Sequence, residues 1–186
     1  EISARLLSCN TVIVGTGAAG YNAADRLWEL GQQDIFNCNR KIVWRGTSRN
    51  TGSDKQTYYK LTLSGEIPDS VMEMAENLFT GQCVDGDLAL CEAALSVQSF
   101  MRLVELGVPF PKNRYGEYVG YKTDHDPRRR ATSVGPYTSK QMTEKLERSV
   151  LSKGIPMLDH MQVIQILSDG KKVYGLLCLK YGSSCE

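Results

Sequence analysis

The stretch Thr11–Gly31, TVIVGTGAAGYNAADRLWELG, limits the possible folds more than any other part of the chain. Thr11 to Val14 is short, apolar and β-branched, the pattern of a buried strand. Gly15, Gly17 and Gly20 follow as G-x-G-x-x-G, and Ala19, Ala23, Leu27 and Leu30 then recur at helical spacing until Gly31 stops the run. Each glycine has a physical task at a strand-to-helix junction that holds a pyrophosphate. Gly15 permits the tight turn, Gly17 leaves the backbone open to a phosphate, and Gly20 lets the helix pack closely. The helix would begin here, so its free N–H groups and positive dipole end would face the phosphates. A structural glycine turn without a ligand is the competing reading. The position after a predicted strand and at the opening of a predicted helix favours a dinucleotide site.

The remaining pattern is mixed. Asp34 to Cys38 reads as a second strand, and Thr47 to Lys60 as a polar loop. Pro68 opens a helix that runs to Thr80. Asp87 to Leu106 is the clearest helix, with Leu90, Ala94, Val97, Met101 and Val104 on one face and Gly107 and Pro109 at its end. Tyr115 to Pro136 is polar, Lys140 to Lys153 is helical, and Met161–Leu167 pairs with Val173–Leu179 around Ser168-Asp169-Gly170. The expected fold is α/β: a Rossmann-like βαβ core over 1–66, a mainly helical insertion over 67–158 and a returning β-hairpin over 159–186.

Composition removes several function classes. The 186 residues are 41% hydrophobic and 23% charged, which suits a soluble globular domain. A formal net charge of +1 offers no bulk attraction to nucleic acid or an anionic membrane. No apolar run approaches the roughly 20 residues of a membrane span. Six cysteines without a CxxC pair or metal spacing point to free thiols and a cytoplasmic location. No metal site, P-loop or Ser-His-Asp order is present.

Four further segments carry a resemblance. They are GTSRNTGSDKQTYYKL (Gly46 to Leu61), FMRLVELGVPFPKNRYGE (Phe100 to Glu117), RRATSVGPYTSKQMTEKLERSVLSKGIPML, and VIQILSDGKKVYGLLCL. With the glycine motif, and in the same order over nearly the whole chain, they resemble the flavoprotein-subunit family of fumarate reductase and succinate dehydrogenase. That FAD-binding class also holds aspartate oxidase and ketosteroid dehydrogenases. The resemblance implies that Gly15, Gly17, Ala18, Ala19 and Gly20 face the FAD pyrophosphate. It implies that Thr47, Ser48, Asn50, Thr51 and Gly52 serve the phosphates and flavin, and that Val163 meets the adenine through its backbone. No histidine lies in Gly46–Leu61, so the FAD would be non-covalent. The implied activity is hydride transfer between the flavin and an activated C–C bond of a small acid-like substrate, with room for an electron-transfer partner. Two alternatives stay open. One is an NAD(P)-binding Rossmann enzyme, since Arg40 and Lys41 could suit a 2′-phosphate; the other is a non-catalytic fragment.

The densest polar constellation is KTDHDPRRRATS, Lys122 to Ser133. His125, Arg128 and Arg130 are its candidate catalytic residues, because arginine pairs a carboxylate through two parallel hydrogen bonds and histidine can deliver a proton. A solvated loop whose charges pair with one another is the competing reading. Two departures from the family stand out. The acid expected at the end of the second strand, about 20 residues beyond the glycines, is replaced by Asn39, Arg40 and Lys41. Codons for Asn37 to Arg40, read one base later, can spell Ile-Val-Thr-Glu, which would restore an apolar strand end and the acid. The second departure is length: the family usually runs to several hundred residues. The chain is therefore expected to be truncated, to bind FAD poorly, to catalyse nothing alone and to self-associate through an exposed sheet edge.

Overall fold

The computed structural model describes residues 4–40, 46–123 and 126–182. Strand β1, Thr11–Val14, leads into helix α1, Ala18–Glu29, and then strand β2, Ile35–Cys38. β1 and β2 are parallel, in register from Thr11↔Ile35 to Val14↔Cys38. A short strand absent from the sequence reading, β5 (Met157–Leu158), adds to β2 in parallel through Asn37↔Met157 and Cys38↔Leu158, giving the order β1-β2-β5. The elements between β2 and β5 are α2 (Thr47–Asn50), β3 (Tyr58–Tyr59), α3 (Val71–Thr80), α4 (Gly86–Glu105), β4 (Ala131–Thr132) and α5 (Thr138–Ser152). The chain closes with an antiparallel hairpin of β6 (Met161–Ser168) and β7 (Val173–Lys180).

Two compact units emerge. One comprises Glu1–Thr51 and Leu146–Glu186, the other Gly52–Lys145. Their boundaries differ from the sequence-based ones at 66/67 and 158/159, because β3 pairs with β4 and because β5 and the last turns of α5 belong with the parallel sheet.

The first unit buries Tyr21, Ala24, Ile35, Cys38, Leu146, Val150 and Ile155. Asp25, on the buried face of α1, is neutralised rather than excluded. Lys153 Nζ lies 2.6 Å from its carboxylate, and the Ser149 hydroxyl donates to the same oxygen. Lys153 also stands over the Trp28 ring at 5.3 Å, so its apolar stem and charge are both used. On the β6–β7 hairpin, Ile164, Ile166, Val173, Tyr174, Leu177 and Leu179 are exposed.

In the second unit, α3 starts at Val71 rather than at Pro68. Ser70 caps it, its hydroxyl accepting the Glu73 N–H at 3.1 Å. Asp85 caps α4 by accepting from the Asp87 and Leu88 amides, both at 3.0 Å. The buried stripe of α4 is Ala89, Ala93, Ser96, Phe100 and Leu103, one residue before the expected one; Leu90 and Met101 stay 40% and 37% exposed. The small Ala93 lets α4 approach Met74 and Ala75 of α3, and Phe100 enters a ring cluster with Phe110 at 4.7 Å and Tyr118 at 5.1 Å. Close approach and aromatic area outweigh the larger apolar side chains of the other stripe. The expected loop over Thr47–Lys60 holds α2 and β3, and β3 pairs antiparallel with β4.

Asn37 is the anomaly of the parallel sheet. It is 0% exposed, and its side-chain Nδ2 and Oδ1 have no hydrogen-bond partner. A parallel strand buried on both faces is normally a continuous apolar run. Position 37 is also where the shifted codon reading places isoleucine. Asn37→Ile should raise the stability of the chain by about 1–3 kcal/mol, the range for an unsatisfied buried amide. The urea unfolding midpoint measures this, and an unchanged or lower midpoint would count against Asn37 as a misfit.

Candidate functional site

The glycine turn in the first unit is built as its spacing demands. Gly15 has φ +118°, a conformation open to glycine, and its N–H donates to the Cys38 carbonyl at 2.7 Å. The turn is thereby tied to the carboxyl end of β2. A Cβ on Gly20 would lie 2.2 Å from the Gly15 carbonyl oxygen, so only glycine lets α1 come this close. Gly17 caps α1 in an extended conformation without a side-chain capping bond, and α1 carries no acid in its first turn. The start of a helix leaves backbone N–H groups without intrahelical partners.

The second cofactor segment predicted from sequence meets this turn. Gly46, which precedes α2, would place a Cβ 3.0 Å from the Thr16 carbonyl oxygen and 3.5 Å from Gly17 Cα. Ser48 Oγ accepts the Ala18 N–H at 3.3 Å, and a Cβ on Gly17 would sit 3.3 Å from the same hydroxyl. A glycine turn, a helix start and a serine hydroxyl therefore share one place, with no acid in the first turn of either helix. That donor set fits a pyrophosphate.

Other predicted residues have varied surroundings. Ala19 lies in the first turn of α1. Thr47 opens α2, and its carbonyl accepts the Thr51 N–H at 3.1 Å. Asn50 turns its amide back to the Gly46 carbonyl at 2.9 Å. Arg49 pairs with Glu147, whose other oxygen accepts the Tyr21 hydroxyl at 3.1 Å, and this anchors α2 to α1. Val163 lies on β6 opposite Cys178, beside a register irregularity between Val163 and Gln165. Gly52 falls in the second unit, where a Cβ would meet the Tyr137 ring at 2.9 Å. Gly46 was missed as a site residue; a glycine immediately before a polar capping segment was its only signal.

The proposed catalytic loop lies in the second unit. His125, like Lys41, falls outside the described residues. Arg128 forms a bidentate pair with Glu73, with Nε at 2.7 Å and Nη2 at 2.9 Å. Its hydrogen bonds hold the Glu73 carboxyl below the usual carboxylate range. Arg130 is fully buried and bonds to Asp69 at 2.6 and 2.9 Å, Asn77 at 2.6 Å, and Tyr59 and Asp126 at 3.2 Å. Burial opposes the Asp69 charge, but Arg130 and the Thr62 and Ser70 amides override it and leave the carboxyl below its ordinary value. This geometry makes Arg130 a structural cation, closer to the self-paired loop than to a free carboxylate clamp. Nearby in the same unit, Lys60 is fully buried, donating to the Leu61 carbonyl at 3.3 Å and standing 4.7 Å over the Phe100 ring. Burial pushes its ammonium down to about 8, against the opposing pull of Asp69. Among the described residues no cluster of three His, Cys, Asp or Glu could hold a metal ion, and no helix is long and apolar enough to cross a membrane.

A family described as "FAD binding domain" matches residues 10–185. No curated protein matches the sequence. Among solved structures the chain is similar to a mutant of FrdA from E. coli quinol fumarate reductase, at 18% identity and TM-score 0.77, covering 92% of this chain and 29% of that one. It is similar to Mycobacterium smegmatis Sdh1 in complex with UQ1, at 16% identity and TM-score 0.78, covering 91% and 30%. It is also similar to 3-ketosteroid-delta4-(5alpha)-dehydrogenase from Rhodococcus jostii RHA1, at 19% identity and TM-score 0.71, covering 94% and 42%. At these identities the likeness establishes the α/β, Rossmann-like fold, and the chain spans less than half the length of each.

Two outcomes follow for the second unit. Arg130→Leu should destabilise the chain by about 3–5 kcal/mol, since it strands buried carboxylates, whereas Arg128→Ala should cost much less. Denaturant unfolding of both variants measures this, and equal losses would remove the structural role of Arg130. Because the Lys60 value is depressed from 10.5 to about 8, the folded state sheds its proton first, so stability rises between pH 8 and pH 10.5 and is lost as pH falls through 8. Lys60→Met should abolish that rise and stabilise the neutral chain by on the order of 3 kcal/mol. A urea midpoint that follows pH identically in both proteins would contradict the burial of a charged Lys60.

Proposed function

Since the chain belongs to the FAD binding domain family, we propose that it is the cofactor-binding part of an oxidoreductase of the fumarate reductase and succinate dehydrogenase flavoprotein type. The observation that supports this best is the meeting of the Gly15–Gly20 turn with the Gly46–Ser48 segment. A dinucleotide site built from the glycine turn alone would not need Ser48 against Ala18. FAD supplies hydride donation and acceptance at flavin N5. The chain's own residues bind and orient it. The start of α1 and the Ser48 hydroxyl would take the pyrophosphate, Thr47, Asn50 and Thr51 would serve the phosphates and flavin, and the Val163 backbone would meet the adenine. No histidine lies between Gly46 and Leu61, so the cofactor is held without a covalent bond.

The substrate is a small acid-like molecule with an activated C–C bond, and electrons come from or go to a separate partner. Arg130 is committed to Asp69 and Asp126 and Arg128 is paired with Glu73, so a substrate carboxylate would reach Arg128 by exchanging with Glu73. The free thiols of Cys9, Cys38, Cys83, Cys91 and Cys178 suit a reducing, cytoplasmic setting.

Titration with FAD and, separately, with NADP tests the reading. FAD should bind, its fluorescence changing on saturation, and NADP should not compete. Gly17→Val should weaken FAD at least tenfold, because a branched side chain would crowd Ser48 and the phosphate path. Undiminished FAD binding by that variant would move the cofactor elsewhere, and tighter NADP than FAD binding would favour a nicotinamide enzyme. Oxidation of a reduced viologen on addition of fumarate then measures the chemistry.

A further inference from the structure

The sheet has a second feature at its carboxyl edge. Cys38, the last residue of β2, pairs with Leu158 of β5, and the Asn39 N–H donates to the Leu158 carbonyl at 2.9 Å. The Met161 N–H returns to the Asn39 carbonyl, also at 2.9 Å. Asp159 lies between these two bonds, so the backbone fixes it beside Asn39. There the Asp159 carboxylate oxygen Oδ1 is buried and has no hydrogen-bond partner. The next residue, His160, holds φ +57°, a left-handed conformation uncommon for a residue with a side chain. It is pinned by the residue that follows β7: the Tyr181 N–H donates to the His160 carbonyl at 3.1 Å, the two rings meet edge to face at 6.1 Å, and the Tyr181 hydroxyl donates to the Arg40 carbonyl. A strained turn held from both sides around a carboxylate with one buried, unpartnered oxygen is the arrangement of a ligand contact rather than of a filler.

Its position names the ligand group. Gly15 is tied to Cys38, and Asn39 to Leu158, so Asp159 stands about 10 Å, two strand spacings, from the pyrophosphate turn along the same sheet edge. An acid at this edge accepts the hydroxyls of an adenosine ribose, and here the end of β2 offers Asn39 and Arg40 instead. We propose that Asp159, in the turn after β5 rather than at the end of β2, is the carboxylate that binds the adenosine ribose hydroxyls of the dinucleotide. This rests on the FAD reading above. It is a positioning role: the acid fixes the adenosine end of the cofactor and takes no part in hydride transfer. It also accounts for how a chain with a basic residue at the usual acid position can hold an unphosphorylated ribose.

The experiment is calorimetric titration of the whole chain with ADP, 2′-deoxy-ADP and 3′-deoxy-ADP, alongside FAD. The wild type should bind ADP about tenfold or more tightly than at least one deoxy analogue, as expected for a charge-assisted hydrogen bond. Asp159→Ala and Asp159→Asn should lose that preference while binding the deoxy analogue as before, and Asp159→Glu should keep part of it. Thermal unfolding identifies any variant that fails to fold, and the remaining ones then carry the comparison. A preference that is absent from the wild type, or equal in wild type and Asp159→Ala, overturns the role of Asp159 while leaving FAD binding intact. A wild type that binds neither FAD nor ADP overturns the cofactor reading and this inference together.

Discussion

One hydrogen bond organises the first unit: the Gly15 amide to the Cys38 carbonyl, at 2.7 Å. It joins the glycine turn to the last residue of β2, so the end of β1, the start of α1 and the end of β2 meet at one edge. The close packing around it removes alternatives. Gly20 sits against the Gly15 carbonyl with no room for a side chain, and Gly46 sits tightly against the Thr16 carbonyl. Backbone donors at a helix start are weak ligands singly. They become a site when fixed together in advance, because the ordering cost is then met by folding rather than by binding. Arg49, Glu147 and Tyr21 extend this logic outward: they tie α2 to α1 through a charge pair and a hydroxyl.

The second unit is organised by charge. Arg130 gathers Asp69, Asp126, Asn77 and Tyr59 around a guanidinium that water does not reach. Burial of such a group is unfavourable unless every donor is used, and here the fork geometry of arginine meets acids from two directions. The β3–β4 pair delivers Tyr59 and Arg130 to the same place, while Asp69 arrives just before α3. The network thus ties a two-residue sheet to the helical pair. Neither the sheet nor α3 with its 10 residues would be stable alone.

The glycine turn, α1, the long α4 and the β6–β7 hairpin were legible in the sequence because each rests on local rules: glycine conformations, capping and periodicity. What was not legible depends on partners remote in the chain. Met157–Leu158 is too short to announce a strand, and only its pairing with Asn37 and Cys38 makes it one. The buried stripe of α4 was displaced by one residue, since periodicity cannot tell which of two adjacent stripes faces a small-residue contact. At the proposed site, Ser48 was readable from the motif, whereas Gly46 and the role proposed for Asp159 were not. Their meaning lies in close approach and in an unpaired oxygen, which no spacing rule reports. The arginine run illustrates the same limit: its composition suggested substrate binding, and burial assigned Arg130 to the framework.

The end of β2 brings these strands of argument together. A parallel sheet presents its carboxyl edge as a row, and any strand in that row can supply a side chain to a ligand lying along it. The ligand constrains where the acid must stand, while leaving open which strand carries it. In this chain β2 is compromised twice, by the unpaired amide of Asn37 inside the sheet and by Asn39 and Arg40 at its end. If the shifted codon reading held, both defects would disappear together, and Asp159 would face a second acid at position 40. The orphan oxygen of Asp159 would then meet repulsion rather than a ligand hydroxyl. The chain as it stands avoids that conflict: one carboxylate, in the turn after the neighbouring strand, beside a strand end that brings no negative charge of its own. The neutral Asn39 and the single Asp159 are therefore mutually consistent, and each explains the other better than either explains itself.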